Sequence, residues 1–213
     1  MTPQEASQKT ADVCALAPVV PVLVVNDVAH ARPLAEALIA GGLPALEVTL
    51  RTPCALDVIR EMAKVEGGVV GAGTLLTPAD VKAAVAAGAT FGVSPGATDT
   101  LLDACEAEGL PLLAGTSTAS DVMRLLERGY TVAKFFPAEA NGGAPALKGI
   151  GGPLPQMKFC PTGGISLKNA NDYLSLSNTL CVGGSWVAPN DLVAKGDWKA
   201  IEELAREAAS LSR

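Results

Sequence analysis

A lysine set in an apolar, β-branched stretch is the first residue of this sequence that could do covalent chemistry. It is Lys134, in YTVAKFFPAEANGG at 130–143. On a strand, Val132, Lys134 and Phe136 share one face and Ala133 and Phe135 the other. Pro137 then removes a backbone donor and ends the ladder. An amine flanked by Ala133, Phe135 and Phe136 has little water around it, and desolvation disfavours its ammonium form. That is how a lysine becomes nucleophilic enough to attack a carbonyl. The competing expectation is a strand-end lysine that extends its head to solvent.

A second stretch, ALEVTLR at 45–51, alternates in the same way, with Glu47, Thr49 and Arg51 on one face and Leu46, Val48 and Leu50 on the other. A carboxylate and a guanidinium four residues apart fit a proton carrier and an anion-binding fork. An internal structural ion pair fits the same spacing. Two later stretches end in Thr162-Gly163-Gly164 and Gly183-Gly184-Ser185. Paired glycines beside hydroxyls let backbone amides approach a phosphate, although tight turns use the same residues. Gly71-Ala72-Gly73-Thr74 and Ser94-Pro95-Gly96 carry the same signal more weakly. Sequence places His30, the sole histidine, on the first helix after a strand, which leaves catalytic triads and His-metal sites without a candidate.

These residues need elements to position them. Apolar strand candidates lie at 19–25, 45–50, 68–74, 90–95, 110–116, 131–137, 157–164 and 179–185. Ala- and Leu-rich helical segments alternate with them. Asp27 opens 28–40, Thr77-Pro78 opens 79–87, and Ser117-Thr118 opens 119–128. Gly41-Gly42, Gly88 and Gly129 close helices. A leading helix is expected at 3–16, only a short turn at 145–150, and a last helix at 197–213 with Trp198, Ile201, Leu204 and Ala208 on one stripe. Eight strands alternating with helices predict a parallel sheet closed as a (β/α)₈ TIM barrel, one domain over 1–213 with an extra N-terminal helix. The rival, an open doubly wound sheet, normally carries a GxGxxG turn, and here the first strand runs into Asn26-Asp27. In a barrel, active sites form at the carboxyl ends of the strands, and the loops after strands seven and eight often hold phosphate.

Composition narrows the partners. The chain has 213 residues, 49% of them hydrophobic, and a net charge of −6 without any basic cluster, so neither nucleic acid nor an anionic membrane is an expected partner. Cys14, Cys54, Cys105, Cys160 and Cys181 are widely spaced with no CxxC pair, which predicts neither a disulfide framework nor a zinc site. The polar, acid-containing start lacks the features of a signal peptide, and no apolar run reaches membrane-spanning length. A cytoplasmic location is the expectation.

Seven segments together resemble the family of 2-keto-3-deoxy-6-phosphogluconate (KDPG) and 4-hydroxy-2-oxoglutarate (KHG) aldolases. They are PVVPVLVV, LEVTLRTPCALDVIR, VGAGTLLTP, VSPGATDTLL, KFFPAEANGG, FCPTGGIS and CVGGSWVAP, in order along nearly the whole chain. The resemblance implies a class I aldolase of the Entner–Doudoroff pathway that needs no metal or organic cofactor. It makes Lys134 the imine-forming residue and Glu47 the proton carrier. It gives the pyruvyl carboxylate to Arg51 and Thr74, the substrate hydroxyl region to Thr162 and the pocket wall to Pro95 and Phe136. Gly163, Gly164, Gly184 and Ser185 would hold phosphate. It further implies a phosphorylated 2-keto sugar acid as substrate, pyruvate as product, side activity on KHG, and a homotrimer. Two alternatives stay open on the residues alone: a phosphosugar isomerase or epimerase with Glu47 as base, and a silent phosphate-binding protein.

Overall fold

Side-chain parity along the strands sorts this chain into an inside and an outside. The structure, a computed structural model, describes residues 1–212. Eight strands run in parallel: β1 (Val19–Leu23), β2 (Ala45–Thr49), β3 (Val69–Gly73), β4 (Phe91–Val93), β5 (Leu112–Thr116), β6 (Val132–Phe135), β7 (Lys158–Pro161) and β8 (Val182–Gly184). From β1 to β7 each strand pairs with the next in sequence, and β8 returns to pair with β1. Two isolated parallel bridges, Phe159 with Thr179 and Thr162 with Gly183, join β7 to the β8 segment and close the sheet. The result is the (β/α)₈ barrel the alternation predicts.

Parity then assigns faces. Leu46 and Val48 of β2, with Ala133 and Phe135 of β6, pack outward against the helices. Val20, Ala45, Phe91, Val93, Leu113, Val132 and Cys160 fill the interior. Glu47 and Lys134 take interior positions of the same parity. The first helix, α1 (Pro3–Ala15), does not join the outer ring. It contacts β5 and β6, and its Cys14 packs with the interior residues, so it covers the amino-terminal end of the barrel.

Local sequence explains most helix ends. α4 (Pro78–Ala87) and α6 (Ala119–Arg128) begin with capping boxes, Thr77 with Asp80 and Thr118 with Asp121, and Gly88 and Gly129 end them in left-handed geometry. Elsewhere the structure corrects the sequence reading. Asp27 caps only a 3₁₀ turn at Val28–His30, and α2 starts at Ala31 and runs to Ala40. Instead of a short turn near 145–150, the chain forms α7 (Gly143–Gly151). Pro145 falls in its first turn, where a missing donor is harmless, and buried Leu147 anchors it. The last helix, α10 (Trp198–Ala209), stops four residues before the predicted end, and of those Arg213 lies outside the described residues. Its buried stripe is Ile201, Ala205 and Ala208, with Leu204 only half-buried.

Candidate active site

β2 and β6 bring the two chemistry-bearing residues together. Lys134 is 3% exposed and Glu47 2%, so the lysine does not extend to solvent. Lys134 Nζ lies 3.5 Å from Glu47 Oε1 and 5.0 Å from the centre of the Phe136 ring. That pair is an electrostatic contact rather than a hydrogen bond, because Oε1 has no hydrogen-bond partner among the described residues. A buried carboxylate oxygen left this way bears its full desolvation cost, which favours the protonated form. Burial pushes the Glu47 carboxyl above its ordinary 4.5. The Lys134 charge opposes the rise, Cys160 adds to it, and Arg51 opposes it weakly. Such a shift moves a carboxyl toward the range where it can both take and give a proton near neutrality.

The backbone makes room for this pair. Gly73 of β3 stands opposite Thr49 in the register, and a Cβ there would sit 2.3 Å from Glu47 Oε1. Only glycine lets that carboxylate lie against β3. The Thr116 hydroxyl donates to the Lys134 carbonyl at 3.0 Å, tying β5 to β6 just where the lysine projects inward. On the next residue of β3's exit, Thr74 adopts φ 63°, a left-handed conformation that costs a β-branched side chain of order 1–3 kcal/mol. Its hydroxyl accepts from Arg51 Nε at 3.1 Å. Arg51 itself sits just past the end of β2, exposed at the barrel mouth.

A cleft of about 320 Å³ opens above the pair. Arg51, Lys134, Phe136, Thr162, Gly163, Gly164, Gly184 and Ser185 all line it. Its lining carries two cations and no carboxylate, so an acidic chain still offers an anion a locally positive site. Gly163 and Gly164 both have positive φ, at 104° and 78°, a conformation that side chains rarely adopt. Glu47 lies beneath the lining and reaches it through Lys134, and Thr74 reaches it through Arg51. Pro95 is exposed after β4, its carbonyl packed against Gly115, and is not among the lining residues. Sequence reasoning missed Val22, Val24, Ile165 and Asn190, which also line the cleft. Strand parity was signal enough for Val22, two residues from Val20 on the inward face. Nothing in the sequence marks Asn190, brought there as the first residue of α9 (Asn190–Lys195).

Comparison with known proteins turns this geometry into a class: fold and sequence are those of Schiff-base aldolases, and the chain is an aldehyde-lyase of that class. The family model described as KDPG and KHG aldolase matches residues 10–204, and the chain belongs to that family. It is 55% identical over 200 residues to the 2-dehydro-3-deoxy-phosphogluconate aldolase of Pseudoalteromonas atlantica, covering 93% of each chain. A structure of the Zymomonas mobilis ZM4 KDPG aldolase with 3-phosphoglycerate superposes with a TM-score of 0.94, at 50% identity over 97% of this chain and 98% of that one. The Legionella pneumophila enzyme, with pyruvate captured as a covalent carbinolamine intermediate, gives a TM-score of 0.91 at 47% identity over 94% and 98%.

Proposed function

We propose that this chain cleaves 2-keto-3-deoxy-6-phosphogluconate to pyruvate and glyceraldehyde 3-phosphate in the Entner–Doudoroff pathway, with side activity on 4-hydroxy-2-oxoglutarate. The observation that carries the reading is the Lys134–Glu47 pair, buried at the floor of a cleft whose rim is cationic and glycine-rich. The Lys134 amine attacks the 2-keto carbon, and the carbinolamine loses water to give an iminium. Glu47, directly or through water, takes the C4 hydroxyl proton. The C3–C4 bond breaks, its electrons enter the iminium, and glyceraldehyde 3-phosphate leaves. The remaining enamine is protonated at C3 by the same carboxyl, and hydrolysis returns pyruvate and the free amine. The lysine is its own electron sink, so this sequence of steps calls for no metal or organic cofactor.

Arg51, oriented by Thr74, holds the pyruvyl carboxylate, and Phe136 walls the reacting carbons. Thr162 faces the substrate hydroxyls, and Gly163, Gly164, Gly184 and Ser185 hold the phosphate at the far side of the cleft. The Zymomonas and Legionella structures support the two ends of this pose, one being solved with a phosphorylated three-carbon acid and the other with covalent pyruvate. Pro95, just past the carboxyl end of β4, completes the pocket wall on this reading.

The chain works as one barrel domain. Its sequence resemblance supports a homotrimer, which sedimentation equilibrium measures directly. Among the described residues no helix is long and apolar enough to cross a membrane, and the pathway chemistry supports a cytoplasmic location. The test of the function is borohydride reduction in the presence of pyruvate, followed by peptide mapping. A reduced pyruvyl adduct on Lys134 is expected. Folded protein that yields no adduct there would overturn the imine mechanism.

A further inference from the structure

Three thiols that sequence spacing keeps apart meet in the barrel interior, where Cys160 is the register partner of Lys134. Cys14 comes from α1, Cys160 from β7 and Cys181 from the residue before β8, and all three are buried. Their Sγ atoms lie within 4.8 Å of one another. Among the described residues this is the one convergence of three side chains of the metal-ligating kinds. The sequence has neither a CxxC pair nor a second histidine, and so predicts no zinc site. The barrel supplies the proximity that the sequence spacing lacks.

We propose that Cys14, Cys160 and Cys181 form a three-thiolate site for a soft d¹⁰ dication of the zinc–cadmium kind. Geometry carries the assignment. Metal–sulfur bonds of about 2.3 Å in a trigonal arrangement set the sulfurs about 4 Å apart, a spacing inside the observed limit. Three ligands from three different elements need no chain rearrangement to close on one ion. Soft thiolates select such cations over the hard ones that oxygen-lined sites hold.

The surroundings suit the same reading. Val20, Phe91, Val93, Leu113 and Val132 pack around the thiols and exclude water that would compete for the ion. A small apolar crevice between α1 and the barrel end, lined in part by Val13, Cys14 and Phe91, reaches Cys14. Binding replaces three S–H bonds with three metal–sulfur bonds. Three protons leave to the solvent, the dication keeps its oxidation state, and no co-reactant is needed. The site shares no ligand with the proposed aldol chemistry, so the two readings can fail separately.

The experiment is a cadmium titration of the full chain with its thiols reduced, followed by the thiolate-to-metal charge-transfer absorbance and by thermal unfolding. Absorbance should rise linearly to a break at one equivalent per chain, and the melting temperature should rise with it because the ion binds the folded state. Cys54→Ser and Cys105→Ala lie outside the cluster and should keep the break. Cys14→Val and Cys181→Val should each weaken binding by roughly 100-fold or abolish it. Folded wild-type protein without a charge-transfer band at one equivalent overturns the proposal, whatever the variants do. So does a band that survives unchanged in both Cys14→Val and Cys181→Val.

Discussion

Two groups of charges in this molecule are built on opposite plans. Between α5 (Asp99–Glu108) and α6, Arg128 binds Glu106 at 2.8 Å and also pairs with Asp103 and, at 3.8 Å, with Asp99. The Tyr130 hydroxyl donates to the same Glu106 oxygen at 3.0 Å, and the N-terminal ammonium donates to the Glu106 carbonyl at 2.7 Å. Hydrogen bonding to Glu106 raises the Arg128 guanidinium further above its usual range, and burial raises the Tyr130 phenol. Arg128 and Tyr130 are thereby held in their ordinary charge states. At the barrel mouth the plan is reversed. Glu47 and Lys134 have one long contact, one orphaned oxygen and a carboxyl pushed up by burial. A satisfied network locks protons in place, whereas an under-satisfied pair can exchange them. On the proposed function, stability and chemistry fall to different ion pairs.

The largest expected break in that contrast is Lys134→Arg. The charge is kept, but a guanidinium cannot form the imine, so turnover should fall by on the order of 10⁴ or more and borohydride trapping with pyruvate should cease. A residual rate above a few per cent would return the isomerase reading, in which Lys134 is only an electrostatic contact. Glu47→Gln comes next. Imine formation should persist while turnover slows by roughly 10²–10⁴. Its pH profile is the sharper readout. The carboxylate form takes the proton, so activity is lost as pH falls through the Glu47 pKa. Burial raises that pKa, so in the wild type the loss begins at a higher pH than the ordinary 4.5 implies. The acid limb should vanish in Glu47→Gln, and a limb that persists would assign proton transfer to another group.

Glu106→Ala tests the other side of the comparison. Removing the shared acceptor strands Arg128 and Tyr130, which should destabilise the fold by about 1–3 kcal/mol. Denaturant midpoints should report that loss, while kcat in the folded protein stays within error. A change in kcat comparable to that of Glu47→Gln would mean the two regions are coupled rather than separate.

How much of this was readable in advance follows from the same physics. Period-2 alternation is a local property, so LEVTLR already placed Glu47 on the inward face of a barrel strand and VAKF already set Lys134 on the face opposite Ala133 and Phe135. Capping boxes at Thr77 and Thr118 are local too, as are the left-handed glycines that end their helices. What stayed hidden depends on packing between distant segments. α7 forms although its sequence is rich in glycine and contains proline, because Leu147 docks in the core and the Asn178 side chain donates to the Leu147 carbonyl at 3.3 Å. The strain at Thr74 is likewise invisible, since nothing in GAGT says that the threonine, rather than a glycine, takes the left-handed turn. The meeting of Cys14, Cys160 and Cys181 needs α1 to cover the barrel end, and no local pattern encodes that.

The smallest expected effect tests whether the contrast holds within the site as well. Its floor is buried and holds Lys134 and Glu47, to which the proposed mechanism gives the bond-making steps, while Ser185 at the rim is exposed and would contribute only binding. A hydrogen bond to a charged phosphate is worth about 1.5–3 kcal/mol, and solvent at an exposed rim reduces it toward the low end. Ser185→Ala should therefore raise KM for the phosphorylated substrate about 10-fold, a loss of about 1.4 kcal/mol, and leave kcat nearly unchanged. 4-Hydroxy-2-oxoglutarate has no phosphate, so its KM should hardly move. Because the imine and the proton carrier are the same for both substrates, the ratio of the two KM changes isolates the rim from the floor. Equal changes would place the phosphate elsewhere and make Ser185 part of the machinery common to both reactions.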